Sequence, residues 1–122
     1  MKVAVSAQGK DMNAMVDPRL GRAQQFLIVD TESLAYEALD NPNVRAAGGA
    51  GIQTAQFLAS KGVQAVITGN CGPNAFATFQ AAGIQVYIGA SGTIHHVLEQ
   101  YKKGQLQLAA QPNVSGHFGS PR

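Results

Sequence analysis

Two short apolar runs, each entered through a single glycine, place the strongest constraint on the fold. Val63 to Thr68 and Ile84 to Ile88 are mostly apolar, and Gly62 and Gly83 stand immediately before them. Strands this apolar are covered on both faces, which points to parallel strands flanked by helices. The stretch before Gly62, from about Gly51 to Lys61, sets Ile52, Ala55, Leu58 and Ala59 at helical spacing. Before Gly83, Pro73 suits a first helical turn, and Phe76, Phe79 and Ala82 follow it. Beyond the second run, Thr93 is placed to cap a helix whose Ile94, Val97, Leu98 and Tyr101 form the clearest amphipathic stripe in the chain. Glu99 and Lys103 pair on its outer side, and Gly104 ends it.

Upstream, Lys2 to Ser6 reads as a first strand. A connection of about 18 residues follows, longer than connections usually are, and such loops are commonly functional or mobile. Phe26 to Val29 is a second strand, Asp30-Thr31-Glu32-Ser33 is turn chemistry, and Leu34 to Leu39 alternates as a third strand in a hairpin with the second. The order is therefore three strands, then helix, strand, helix, strand, helix. Right-handed helical crossovers lay the fourth and fifth strands parallel to the first. The simplest result is a five-stranded mixed sheet in the order 3-2-1-4-5, with strand two antiparallel and helices on both faces. This three-layer α/β/α arrangement resembles the ribonuclease H-like layout. Residues 1–104 are expected to form one α/β domain. Residues 105–122, with Pro112, Gly116, Gly119 and Pro121 and no sustained period, are expected to be a flexible C-terminal tail.

Composition agrees. Charged residues are 13% of the 122, about half the usual share, while hydrophobic residues are 45%. Disorder needs the opposite balance. No run of about 18 apolar residues exists to cross a membrane. A net charge of +2 exerts no strong pull on nucleic acid or an anionic membrane. Cys71 is the only cysteine, so no intrachain disulfide forms, and the first residues lack the apolar segment of a secretory signal. A cytoplasmic location is expected.

Open sheets of this kind bind ligands beyond the carboxyl ends of the parallel strands, where the strand order changes direction. Three glycine-rich segments should emerge at that edge: Ala47-Gly48-Gly49-Ala50-Gly51, Gly69-Asn70-Cys71-Gly72-Pro73-Asn74 and Gly89-Ala90-Ser91-Gly92-Thr93. Each precedes a helix, and helix N-termini offer unpaired N–H groups and a positive dipole end. Arg19 and Arg22, in the long connection, add charge. The edge is thus suited to an anion. Glycines before helices also serve turns and caps alone, and no segment matches a P-loop. Strand one and strand four carry no carboxylates, so metal-dependent nuclease chemistry has no footing. Nothing positive supports catalysis, and no catalytic residue is assigned. Cys71 sits just before a helix, a position that lowers a thiol pKa and offers sulfur to metal or redox chemistry; the alternative is a small buried residue. His95 and His96 lie off the apolar stripe and are read as solvated helix residues. His117 lies in the tail, where a ligand role is open.

Several segments together resemble one family. Val16-Asp17-Pro18-Arg19-Leu20-Gly21-Arg22-Ala23 followed by Phe26-Leu27-Ile28-Val29-Asp30, then Ala47 to Gln53, then Gly69 to Ala75, are similar in order to the dinitrogenase iron–molybdenum cofactor biosynthesis family, the NifX-like domains. The tail segment Pro112 to His117 looks like the end of small stand-alone members. The resemblance implies a ribonuclease H-like fold and a non-enzymatic protein that carries or shields an iron–sulfur or iron–molybdenum-type cluster or its precursor. It implies a protein partner in cofactor assembly, and no nucleic acid or membrane. Cofactor-carrying members tend to have a histidine in the long loop where this chain has Arg19. Arginine neutralises an anion but is not a normal metal ligand. The expected cofactor-binding set is Arg19, Arg22, Gly48, Gly49, Gly51, Asn70, Gly72 and Asn74, with Cys71 and His117 as metal ligands. The alternative readings are a metal-free regulatory domain for a small anion or nucleotide, and a partner-docking module.

Overall fold

The computed structural model describes residues 1–43 and 50–110. The elements run β1 (Lys2–Ala7), β2 (Gln25–Asp30), β3 (Tyr36–Asp40), α1 (Ala50–Ala59), β4 (Ala65–Ile67), α2 (Pro73–Ala81), β5 (Gln85–Ile88), α3 (Ile94–Lys102) and β6 (Gln107–Leu108). They form one mixed sheet in the order β3-β2-β1-β4-β5-β6. β1, β4 and β5 are parallel, and β2 is antiparallel to both β1 and β3.

The expected order 3-2-1-4-5 is present, but the sheet has six strands rather than five. The additional strand comes from the segment read as tail. Gln107 pairs with Ile88 and Leu108 with Tyr87, antiparallel, and the Ala109 N–H donates to the Val86 carbonyl at 2.8 Å. A two-residue strand has no period to detect. It forms because the chain, turned at Gly104 (φ +71°), returns along the unpaired edge of β5.

Alternation along the strands divides the core in two. Ala4, Phe26, Ile28, Val66, Val86 and Ile88 pack against Ala55 and Leu58 of α1 and Ala75, Phe76 and Phe79 of α2. Val3, Val5, Leu27, Val29, Ala65 and Ile67 pack against Ile94, Val97 and Leu98 of α3. A sheet sandwiched in this way leaves little surface for charge, which accounts for the composition. Glycine excess has a local cause as well. Gly62 and Gly83, at φ +76° and +74°, end α1 and α2 in the left-handed conformation that side chains rarely adopt.

The hairpin between β2 and β3 is wider than its sequence suggests. The Asp30 carboxylate accepts the N–H groups of Glu32 at 2.8 Å and Ser33 at 3.1 Å. Those two backbone donors hold its carboxyl below the ordinary aspartate value. Leu34 lies at φ +63° inside the turn, so β3 begins at Tyr36 and not at Leu34.

Candidate functional site

The long connection after β1 is held along the carboxyl edge of the sheet. The Gln8 N–H donates to the Met15 carbonyl at 2.9 Å, and the Val16 N–H to the Gly92 carbonyl at 2.9 Å. Its next residues form the tightest part of the edge. The Asp17 N–H donates to the Ser6 carbonyl at 2.8 Å, and the Ser6 hydroxyl donates back to the Asp17 carbonyl at 2.6 Å. With its one proton so used, Ser6 Oγ accepts from the Thr68 hydroxyl across 2.8 Å. Ser6 and Thr68 are fully buried, so this link ties the ends of the two central parallel strands to the loop.

Asp17 is itself buried, and its Oδ1 accepts the Arg19 N–H at 2.9 Å and lies 3.5 Å from Arg19 Nε. Pro18, between them, approaches β4's end so closely that a Cβ on Gly69 would sit 2.8 Å from Pro18 Cα. Asn70 Nδ2 donates to the Pro18 carbonyl at 3.1 Å, and Arg19 and Asn70 form a parallel backbone bridge. Two segments more than fifty residues apart are thereby brought into contact.

Arg19 and Asn70 then stand at one side of a cleft of about 350 Å³, completed by Leu20, Gly21, Gly51, Gly72, Pro73, Asn74 and Ala75. Its far wall is the start of α2. Gly72 is the N-cap and supplies no side chain, and Pro73 has no N–H, so the first turn is uncapped. α1 starts beside it: a Cβ on Gly51 would meet Ala75 Cβ at 3.5 Å. The positive ends of two helices and one guanidinium therefore converge on a cleft whose remaining walls are glycine, proline, amide and alkyl groups.

Of the residues expected to bind a cofactor, the cleft unites Arg19, Gly51, Asn70, Gly72 and Asn74. Arg22 is exposed on the same loop but does not line it. Gly48, Gly49 and His117 lie outside the described residues.

One expectation is corrected, and of the two readings left open for Cys71 the buried one describes its place. The third glycine-rich loop does not open a helix N-terminus to ligand. Thr93 caps α3 by accepting the His96 N–H at 3.2 Å, while the Ile94 and His95 N–H groups donate to Ala14 and Met12 carbonyls at 2.9 and 3.0 Å. Gly89 and Gly92 serve conformation instead, at φ +77° and +99°. Cys71, between two cleft residues, faces inward and is fully buried with Ala4, Val66 and Ala75. Burial pushes its thiol up to about 11 instead of lowering it.

His95 and His96 are exposed on α3, with His95 Nε2 3.8 Å from a Glu99 oxygen. Among the described residues no three His, Cys, Asp or Glu side chains gather to hold a metal ion. None of the described helices is long and apolar enough to cross a membrane. Gly69 was placed at this edge by its segment, whereas Asp17, Leu20 and Gly21 were quoted only within the family motif and not assigned to the site. Only Asp17 carried a signal, an aspartate two residues before the arginine whose N–H it accepts.

Comparison with known proteins locates this architecture. Residues 1–104 match the family described as dinitrogenase iron–molybdenum cofactor. An uncharacterised protein of Methanocaldococcus jannaschii is 30% identical over 110 residues, covering 88% of this chain and 90% of its own length. The apo form of the orange protein from Desulfovibrio gigas superposes with a TM-score of 0.90 at 40% identity, over 93% of this chain and 96% of that one. A Thermotoga protein described as a putative NifB protein gives 0.76 at 40% identity, over 88% and 91%. With the match running from β1 through α3 as far as Gly104, the chain belongs to the dinitrogenase iron–molybdenum cofactor family.

Proposed function

We propose that this protein is a non-enzymatic carrier for a preformed anionic metal–sulfur cluster, of iron–sulfur or iron–molybdenum type, held at the cleft between Arg19 and the start of α2. The observation that carries this reading is the uncapped α2 N-terminus facing Arg19 across a cleft, in a chain of a cofactor family. Helix N-termini and guanidinium groups neutralise an anion without bonding to its metal. The donor set fits that mode: the Cys71 thiol is buried and held protonated, and the described residues contain no metal-ligating group of three. A partner in cofactor assembly, in the cytoplasm, would deliver or accept the cargo. Gly48, Gly49 and Arg22 would extend the binding surface, His117 is a candidate ligand, and Cys71 would serve as one only by turning out of the core.

The test is anaerobic loading with iron and sulfide, and separately with tetrathiomolybdate, followed by visible spectra after desalting. Wild type and Cys71→Ala should retain the chromophore equally, and Arg19→Ala should lose most of it. A chromophore lost in Cys71→Ala and kept in Arg19→Ala would assign thiolate ligation instead. No chromophore in any protein would refute the reading. A melting-temperature rise with phosphate or nucleotide, abolished by Arg19→Ala, would then assign a metal-free anion site.

A further inference from the structure

Beside the Arg19 charge stands a buried carboxylate. Arginine is long and rotamer-rich, and this one is mostly exposed, with 66% of its side chain accessible. A guanidinium so exposed ordinarily samples many positions. Here its stem meets a carboxylate that cannot move. Asp17 is 2% exposed, its N–H and carbonyl are both committed to Ser6, and Pro18 follows it against Gly69. Its Oδ1 accepts the Arg19 N–H and lies 3.5 Å from Nε. Contact at Nε leaves the two terminal amino groups for another acceptor. Among the described residues no other carboxylate pairs with Arg19.

We propose that Asp17 is a positioning residue, which holds Arg19 by its Nε edge so that the amino end of the guanidinium stays at the cleft beside Asn70. This rests on the anion-carrier reading above. The opposite effect is also physical: a carboxylate beside the cleft weakens its pull on an anion. The two effects have opposite signs when the carboxylate is neutralised. Asp17→Asn keeps an oxygen for the Arg19 N–H, so the turn survives, but removes the ionic hold on Nε.

Positioning therefore requires that Asp17→Asn bind tetrathiomolybdate more weakly than wild type although its cleft is more positive. Re-immobilising one rotamer-rich side chain corresponds to roughly a fivefold loss. The loss should vanish in an Arg19→Ala background, where nothing remains to be positioned. Arg19→Lys, which keeps charge and lacks Nε–H, should show a similar loss, with no further loss on adding Asp17→Asn. In the ligand-free protein, the Arg19 Nε–H resonance should be slowed in hydrogen exchange and ordered in wild type, and averaged in Asp17→Asn.

Equal or tighter binding by Asp17→Asn would overturn the proposal. So would an undiminished loss in the Arg19→Ala background, or an unchanged Nε–H resonance. If wild type takes up neither tetrathiomolybdate nor an iron–sulfur cluster, the carrier reading fails, and the ligand-free resonance still decides whether Asp17 holds Arg19.

Discussion

Gly69→Ala is the sharpest probe of how the cleft is assembled. The added Cβ would stand 2.8 Å from Pro18 Cα, 3.0 Å from Pro18 Cβ and 3.1 Å from the Pro18 carbonyl oxygen. Two of these atoms are backbone and none ends a flexible side chain, so the loop must move. Overpacking of this kind costs about 1–3 kcal/mol. Loss of glycine's freedom in the unfolded chain offsets about 0.4–1 kcal/mol. The net is a destabilisation of about 1–2 kcal/mol. With an unfolding entropy of about 2.1 cal/mol/K per residue, the melting temperature should fall by about 4–8 °C. The displacement also separates Pro18 from Asn70, so the amide resonances of Arg19 and Asn70 should shift together. Gly51→Ala is the matched control, because its Cβ meets Ala75 at 3.5 Å, ordinary contact, inside a helix. It should stabilise by about 0.5–1 kcal/mol. Calorimetry and amide spectra of both variants check the contrast. If Gly69→Ala melts with wild type and leaves the Arg19 and Asn70 resonances in place, the close approach does not hold the loop.

Further outcomes follow from single side chains. The Cys71 thiol, raised to about 11 when folded, ionises first in the unfolded chain; stability should therefore decline as pH rises from about 9 toward 11, and Cys71→Ala should lose that decline in urea titrations. Thr93→Ala removes the acceptor of the His96 N–H and should cost about 1 kcal/mol by the same measurement. Thr54 is fully buried and its Oγ1 has no hydrogen-bond partner among the described residues, so Thr54→Val should raise the melting temperature, by about 1–2 kcal/mol of relieved desolvation.

Much of the candidate site could be read before folding, and the part that could not has a common cause. Arg19, Gly51, Asn70, Gly72 and Asn74 were legible because a sheet of this order places its ligands at one edge, and glycines before helices mark backbone exposed there. Cys71 stayed open between ligand and core because a residue between two cleft-lining neighbours can point either way. Its direction depends on how Ala4, Val66 and Ala75 pack, which no local pattern expresses. The α3 terminus was misjudged because its acceptors, Met12 and Ala14, lie some eighty residues upstream.

By itself the sequence determined the alternation of strands and helices, the strand order from β3 to β5, and the segments lining the cleft. These follow from periodicity, helix stops and the handedness of crossovers, all local or topological rules. Only the tertiary structure decided that the α3 N-terminus is occupied by loop carbonyls while α2 has no side-chain cap, that the thiol is core, and that a sixth strand adds to the β5 edge. It also decided that Gly69 packs against Pro18 and that the buried Asp17 carboxylate stands beside Arg19. Each of these is a matter of which backbone groups already have partners, and partners distant in sequence are found only when the chain has packed.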